Sequence, residues 1–497
     1  MYVRFDDEKR IEEKSIVEKF IRNGLVLTSL GFESILENNI DVDEVIEEAK
    51  KRRIWLIADE FIREFIRENE EEDINDIKVV VERGDGIFAK EIDSELIIRE
   101  DTDVSGRSTS QGRIEDFLEY FNDRYNCLKD ILKERQNLRD AIPIRSAKKY
   151  GGNNISIVAM ITSKRESRKG YKFIDVEDPT GDLTVLIPNN SPLVEIYKNL
   201  LLDEIIGIRG RFSNGLFIAE EIFQPELPIN NKPHVADEPV HLALLSDIHV
   251  GSYLFLEKEF NKFINYLNLK CDQREIFEKI KYIIIAGDLV DGIGIYPNQE
   301  EELSIPDIYK QYDFLASLLE RIPDYIEIIL SMGNHDAVRN SEPQPRVSRD
   351  IAAPLYELPN VHILGNPVMV EMHSVKTLVY HGTSLDTIIS NIAECTYSRP
   401  EVAMIELLKR RHLVPIYGND SISPENRDYL AIREIPDIFH SGHIHTNGYA
   451  NYRGVMVINS GTFQGRTKYQ EELGHVPTPG RVPVVNLQNH EVSIIHF

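Results

Sequence analysis

Leu244–Ser252, LLSDIHVGS, decides how the rest of this chain is read. Leu242–Leu245 is an apolar run that reads as a buried strand, and the segment beyond it carries Asp247 and His249. Residues two apart on an extended chain point their side chains the same way. A carboxylate oxygen and an imidazole nitrogen can therefore reach one ion from here. Asp-x-His occurs by chance in many proteins, so the pair gains its meaning from the motifs downstream of it.

Four further apolar runs end in the same manner. Lys281–Ala286 leads into Gly287-Asp288-Leu289-Val290-Asp291, and Ile326–Ser331 leads into Gly333-Asn334-His335-Asp336. Thr377–Tyr380 is followed by His381-Gly382, and Ile438–Ser441 by Gly442-His443-Ile444-His445. Strand-like runs alternate here with helix-like ones, which predicts one α/β domain over residues 236–497. Ligands of such sheets gather at the carboxyl ends of the strands. The glycines are expected to let the backbone turn sharply beside an ion. Singly, each motif has a plainer reading: Asp288 can cap a helix, and His335 can be a satisfied core histidine. Five in this order predict a metal site.

Upstream, Ile155–Ile161, Tyr171–Val176 and Leu183–Ile187 read as a three-strand meander. Ile205–Phe212 and Leu216–Ile222 add a hairpin around Asn214-Gly215, with a helix-like insert at Leu193–Leu201. That layout predicts an OB-fold β-barrel within residues 146–235. Its basic turn, Lys164, Arg165, Arg168 and Lys169, with Tyr171, Lys172 and Phe173, is a candidate surface for single strands, or else packs on a neighbouring domain. Residues 76–145 are expected to be a linker and a connecting helix. Asp101–Gly112 reads as flexible, Arg113–Asp140 as helix, and Ile77–Val81 as a short strand. Over residues 1–75 a small helical domain is predicted from three stripes: Ile16, Val17, Phe20 and Ile21; Val42, Val45, Ile46 and Ala49; and Ile54, Ile57, Ala58, Phe61, Ile62 and Phe65. Gly24 is the expected stop of the first. Glu68–Asp76, with six acids in nine residues, reads as solvated.

The formal net charge of −26 argues against nucleic-acid binding through a broad basic surface alone. A metal centre or a partner would have to supply positive charge. Three dispersed cysteines, Cys127, Cys271 and Cys395, speak against a cysteine-based zinc site and fit a reducing compartment. Neither a signal peptide nor a membrane span is expected, so the compartment expected is the cytoplasm.

Taken together, SDIHVGS, GDLVDG, GNHD, HG and GHIH resemble the calcineurin-like metallophosphoesterase superfamily. The resemblance implies a four-layer domain, a β-sandwich flanked by helices, with two metal ions between its sheets. AVRNSEPQPR after GNHD, and INSGTFQGRTKYQEELGHVPTPGRVPVVNL toward the end of the chain, resemble the small subunit of the archaeal family D DNA polymerase. So does an OB-fold placed before the phosphoesterase domain. This implies a proofreading 3′–5′ exonuclease acting on DNA 3′ ends, single-stranded or mismatched. It also implies a large polymerising subunit as partner, with a sliding clamp as a further candidate.

Carried over position by position, the resemblance gives one ion to Asp247, His249, Asp288 and His445. The other falls to Asp288, Asn334, His381 and His443, so that Asp288 bridges. Mixed imidazole and carboxylate ligands suit Mn²⁺ first, with Fe or Zn²⁺ as alternatives, better than Mg²⁺. His335 is the implied general acid or transition-state stabiliser, Asp336 its orienting partner, and Asp291 a support for a ligand. His440 stays outside the site. Two other readings compete: a catalytically silent scaffold subunit, and a metallophosphatase for small phosphoesters.

Overall fold

The computed structural model describes residues 87–150, 154–213 and 215–497, with parts of 16–62. The chain divides into two compact units, Met1–Asp85 and Gly86–Phe497. In the first, the helix Val42–Arg52 buries Val45, Ile46 and Ala49 beside Phe20, Leu25, Ile57, Phe61 and Ile62. Gly24, at φ +76°, closes the preceding helical turn. The third stripe departs from its helical reading: Leu56–Ile57 is a short strand, paired in parallel with Val26–Leu27. Ala58, Phe65, Ile77–Val81 and Glu68–Asp76 lie outside the described residues.

The second unit begins its core with a closed five-stranded barrel. Ile155–Glu166, Lys172–Asp178 and Gly181–Ile187 form the meander, and Ile205–Ser213 with Leu216–Phe223 form the hairpin that closes on it. Alternate residues point inward, among them Ile155, Ile157, Ala159, Ile161, Ile174 and Val176, as a half-buried strand requires. The insert is the helix Leu193–Asn199. Part of the basic turn serves the barrel itself. Lys164 Nζ donates to the carbonyl of Leu200 at 2.5 Å, and Arg165 pairs with Asp175 at 3.2 Å while lying over the Phe173 ring.

Two six-stranded sheets form the rest. The first carries His241–Leu245, Ile280–Ala286 and Glu327–Ser331 side by side in parallel; the second carries Val375–Val379 and Ile438–Ser441, also parallel. These strands are mostly apolar because both faces are covered. On His241–Leu245, Ala243 and Leu245 face helices such as Glu257–Leu267 and Ile308–Leu319, while Leu242 and Leu244 face the other sheet. Beyond the second sheet, Leu385–Asn391 and Pro400–Arg410 cover the outer face. Helix, sheet, sheet and helix make the expected four layers.

The stretch read as a flexible linker belongs to this sandwich. Leu96–Ile98 pairs antiparallel with Val368–Met372 as an edge strand. Asp103 then accepts a hydrogen bond from Gly365 N at 3.0 Å. Buried Glu425 collects Ser108 Oγ at 2.7 Å and the backbone N–H groups of Thr109 and Ser110 at 2.6 and 3.1 Å. The helix Ile114–Lys133 comes next, packed on the barrel, and its buried Arg124 reaches Asp428 of the sandwich at 3.0 Å. Among the described residues, no helix is long and apolar enough to cross a membrane.

Candidate metal centre

The five motifs meet at the carboxyl ends of the two sheets' parallel strands. Beyond those ends the first two loops zip together: Asp247 N donates to Gly287 O, His249 N to Asp288 O, and Val250 N to Leu289 O. Asp247 and His249 do not converge through the pleat of an extended chain, as the spacing predicts. Each sits in the left-handed region, at φ 51° and 53°, and Asp288, His443 and His445 do likewise. Such backbone is costly for residues with a Cβ, and it accumulates where a fold fixes functional groups.

Four atoms converge at the first position. His445 Nε2 lies 3.2 Å from His249 Nε2 and 3.3 Å from Asp247 Oδ1, and Asp288 Oδ2 is 3.7 Å from His249 Nε2. Asp247 Oδ1 is buried and accepts no hydrogen bond. A lone carboxylate oxygen away from water is costly, and a cation at this point would satisfy it. His249 Nδ1 faces Asp291 Oδ1 at 3.0 Å, which holds the ring's proton there and leaves Nε2 as a lone pair aimed at the cluster.

The second position is built around Asp288 again. His381 Nε2 lies 3.4 Å from Asp288 Oδ2 and 3.1 Å from Asn334 Oδ1. Its Nδ1 donates to Ala286 O at 2.8 Å, so in the neutral ring Nε2 is an acceptor facing another acceptor. Two acceptors this close must share a proton or a cation. His443 turns its Nε2 to Asp386 Oδ2 at 3.1 Å, which leaves Nδ1 for an ion. The donors gathered on either side of Asp288 fit a pair of cations.

Electrostatics agree. Burial pushes the His381 and His249 imidazoles down, yet neighbouring carboxylates outweigh it and raise them to about 10 and about 9. For His381 the chief source is Asp288; for His249 it is Asp291, followed by Asp288. Burial likewise opposes ionisation of Asp288, but the surrounding imidazoles hold it well below the usual carboxylate range. The cluster draws positive charge into a buried space, as protons or as metal ions.

The motif glycines do more than turn the chain. Of the four glycines beside the candidate ligands, Gly287 and Gly382 have positive φ, at 81° and 115°, whereas Gly333 and Gly442 do not. A Cβ at Gly287 would come within 2.6 Å of His381 Nδ1. At Gly333 it would strike Asp288 Oδ1, and at Gly442 Asp247 Oδ2. These three are glycines because the ligands occupy the space a side chain would need.

His335 stands at the edge, partly exposed, its ring edge-on to His249 with centroids 4.7 Å apart. Its Nδ1 donates to Asp291 O at 2.8 Å and its backbone N to Asp288 Oδ1 at 2.9 Å. Burial pushes its imidazole down, with Asp288 pulling the other way. Asp336 does not orient it. That carboxylate faces inward, accepting from Gly333 N at 2.8 Å and Tyr312 OH at 3.1 Å, so it shapes the GNHD turn instead. His440 is a core residue, 2.9 Å from Ser460 Oγ.

Several residues support the site through contacts that the sequence alone does not reveal. Asp386 is one, five places beyond His381 and first-turn acid of its helix. Gln464 donates to Asp291 Oδ1 at 3.0 Å, and Gln470 lies 3.0 Å from His445 Nδ1. Gln344, the centre of Pro343-Gln344-Pro345, donates to Gly333 O at 3.3 Å and accepts from Asn366 Nδ2 at 2.9 Å. Asn366 Oδ1 in turn accepts from His381 N at 2.8 Å, which ties the GNHD turn to the His381 strand end. The PQP and QGRTKYQ segments are visible as motifs, but their contacts are not.

Residues 240–447 match the calcineurin-like phosphoesterase family, and residues 155–216 match the OB-fold nucleic acid binding domain. The DNA polymerase II small subunit of Methanocaldococcus jannaschii is 44% identical over 408 residues, covering 80% of this chain and 68% of that protein. That of Archaeoglobus fulgidus is 40% identical over 488 residues, covering 96% of both. A third, from Methanothermobacter thermautotrophicus, is 37% identical over 483 residues, covering 95% of this chain and 97% of its own.

Proposed function

The chain belongs to the DNA polymerase II small-subunit family, and we propose that it is the proofreading 3′–5′ exonuclease of such a polymerase. Its substrate is the 3′ end of DNA, single-stranded or mismatched, and its partner is a large polymerising subunit. The observation that carries this reading is the double convergence on Asp288, with Asp247 Oδ1 left without a hydrogen bond beside it. A silent scaffold has no use for that arrangement.

Asp247, His249, His445 and Asp288 would hold one divalent ion; Asp288, Asn334, His381 and His443 would hold the other. Mn²⁺ fits the donor set, and Fe or Zn²⁺ are alternatives. When bound, such a pair supplies charge neutralisation for a phosphodiester and acidifies water. The protein's own part is to fix these donors, through Asp291 on His249, Ala286 O on His381 and Asp386 on His443. His335 acts on the substrate. With Nδ1–H held by Asp291 O, its imidazolium form presents Nε2–H to the leaving 3′-oxygen. An arriving phosphodiester anion favours that form, offsetting the burial that disfavours it.

Degradation of 3′-labelled and 5′-labelled oligonucleotides by purified protein with Mn²⁺ tests the reading. Stepwise shortening from the 3′ end is expected. Endonucleolytic cutting, or hydrolysis of nitrophenyl phosphodiesters with no action on DNA, would overturn it.

A further inference from the structure

Tyr296 sits beyond the centre and belongs to neither ligand set. Its ring lies edge-on to His335, centroids 6.3 Å apart, and the residue is 38% exposed. The hydroxyl is anchored on Glu302 Oε2 at 3.1 Å. Its loop is tied to the site. Ile295 N donates to Gln299 Oε1 at 2.9 Å, and the buried Gln299 Nε2 donates to Asp291 O and Oδ2 at 2.8 and 3.1 Å. Gly292 N is fixed on Gln311 Oε1 at 2.9 Å. The same Asp291 that orients His249 and His335 therefore positions this ring.

We propose that Tyr296 is a stacking platform for the penultimate base of the 3′ end, a specificity-determining contact that rests on the exonuclease reading. His335 is directed at the leaving 3′-oxygen, which belongs to the penultimate nucleotide. The Tyr296 ring lies beside His335, with centroids 6.3 Å apart, within one nucleotide's reach of it. An exposed aromatic face stacks any base and selects no sequence. It does select ends whose last bases have left the duplex, because a paired base is already stacked within its own helix. Such a contact distinguishes a frayed or mismatched terminus from a paired one.

The test compares kcat/KM for an oligonucleotide with a normal penultimate base against one abasic at that position. In the wild type the normal end should be favoured by about 5- to 150-fold, the range that loss of one aromatic–base stack produces. Tyr296→Ala should bring the ratio close to one, through KM, and Tyr296→Phe should restore it. Metal content and melting of the variants identify any misfolding. Independently, an oligonucleotide with a hydrolysis-resistant last linkage and 2-aminopurine at the penultimate position should be quenched by wild type and by Tyr296→Phe, and not by Tyr296→Ala. Equal losses on both ends, sensitivity to the terminal base instead, or quenching that survives Tyr296→Ala would overturn the proposal. If wild type leaves DNA uncut, the exonuclease reading fails, and the quenching still decides the stacking.

Discussion

Gly333 and Asp288 occupy a space with no room for another carbon: a Cβ at 333 would collide with the Oδ1 of the carboxylate that both halves of the site share. Gly333→Ala removes no candidate ligand, yet it should displace the bridge. We expect most bound metal and activity to be lost, with about 1–3 kcal/mol of destabilisation from overpacking. Metal analysis beside thermal melting checks it. An active, fully loaded Gly333→Ala protein would mean that Asp288 does not bridge.

Asp288→Ala should abolish hydrolysis and lower the content of both ions, since each half of the site loses a donor. Co-purification with the large subunit should persist, because Asp288 is buried and its loss leaves the outer surface unchanged. A folded variant that keeps its ions, or loses its partner, contradicts this division.

His335→Ala should behave differently. Metal content and melting should stay near wild type, while the rate falls by about 10²–10⁴, the usual range for a general acid–base group. The loss should shrink on a nitrophenyl phosphodiester, whose leaving group needs little protonation. Rates on both substrates beside metal stoichiometry decide it; loss of one ion would make His335 a ligand.

Asp386→Ala should weaken the second ion by about 10–100-fold, as removal of an outer carboxylate from a ligating histidine does. It frees His443 Nε2 from its partner at 3.1 Å. Stepwise metal titration should show one site weakened and the other intact. Equal weakening of both would refute the assignment of His443 to the second position.

Stability should fall in acid through the buried Arg124–Asp428–His412 cluster. Asp428 lies 3.0 Å from Arg124 and 2.7 Å from His412. Burial opposes its ionisation, but His412 and Arg124 hold it well below the usual carboxylate range. His412 is pushed down by burial and by Arg124. Below about pH 6.5 the unfolded chain protonates at His412 before the folded one does. Below about pH 4 it protonates at Asp428 first as well. Both losses have the same sign, so denaturant midpoints should drop from pH 6.5 downward. Arg124→Ala should cost about 3–5 kcal/mol, because it removes one partner of a buried ion pair and leaves Asp428 to His412 alone. A variant of wild-type stability would show that the cluster does not hold the fold together.

The layers and the donors are legible in the order of amino acids alone. Runs such as KYIIIA are apolar on both faces because both are covered, and a strand that ends in Gly-Asp or Gly-His-Ile-His announces its polar end locally. The alternation Ile155, Ile157, Ala159, Ile161 announces a barrel wall in the same way. Partners distant in the chain leave no such trace. DTDVSGRSTSQG has no apolar period and reads as a linker, yet Glu425, more than three hundred residues on, orders its Ser108 and Thr109. Asp336 stands beside His335 in sequence but turns inward to Tyr312, while Asp386, with no motif of its own, holds His443. Even the pairing of Asp247 with His249 comes from left-handed backbone held by the neighbouring loop, and not from the pleat their spacing suggests. Periodicity and composition are local properties and survive in the sequence. Which carboxylate meets which imidazole depends on a few ångströms of loop placement, and only the packed structure sets those.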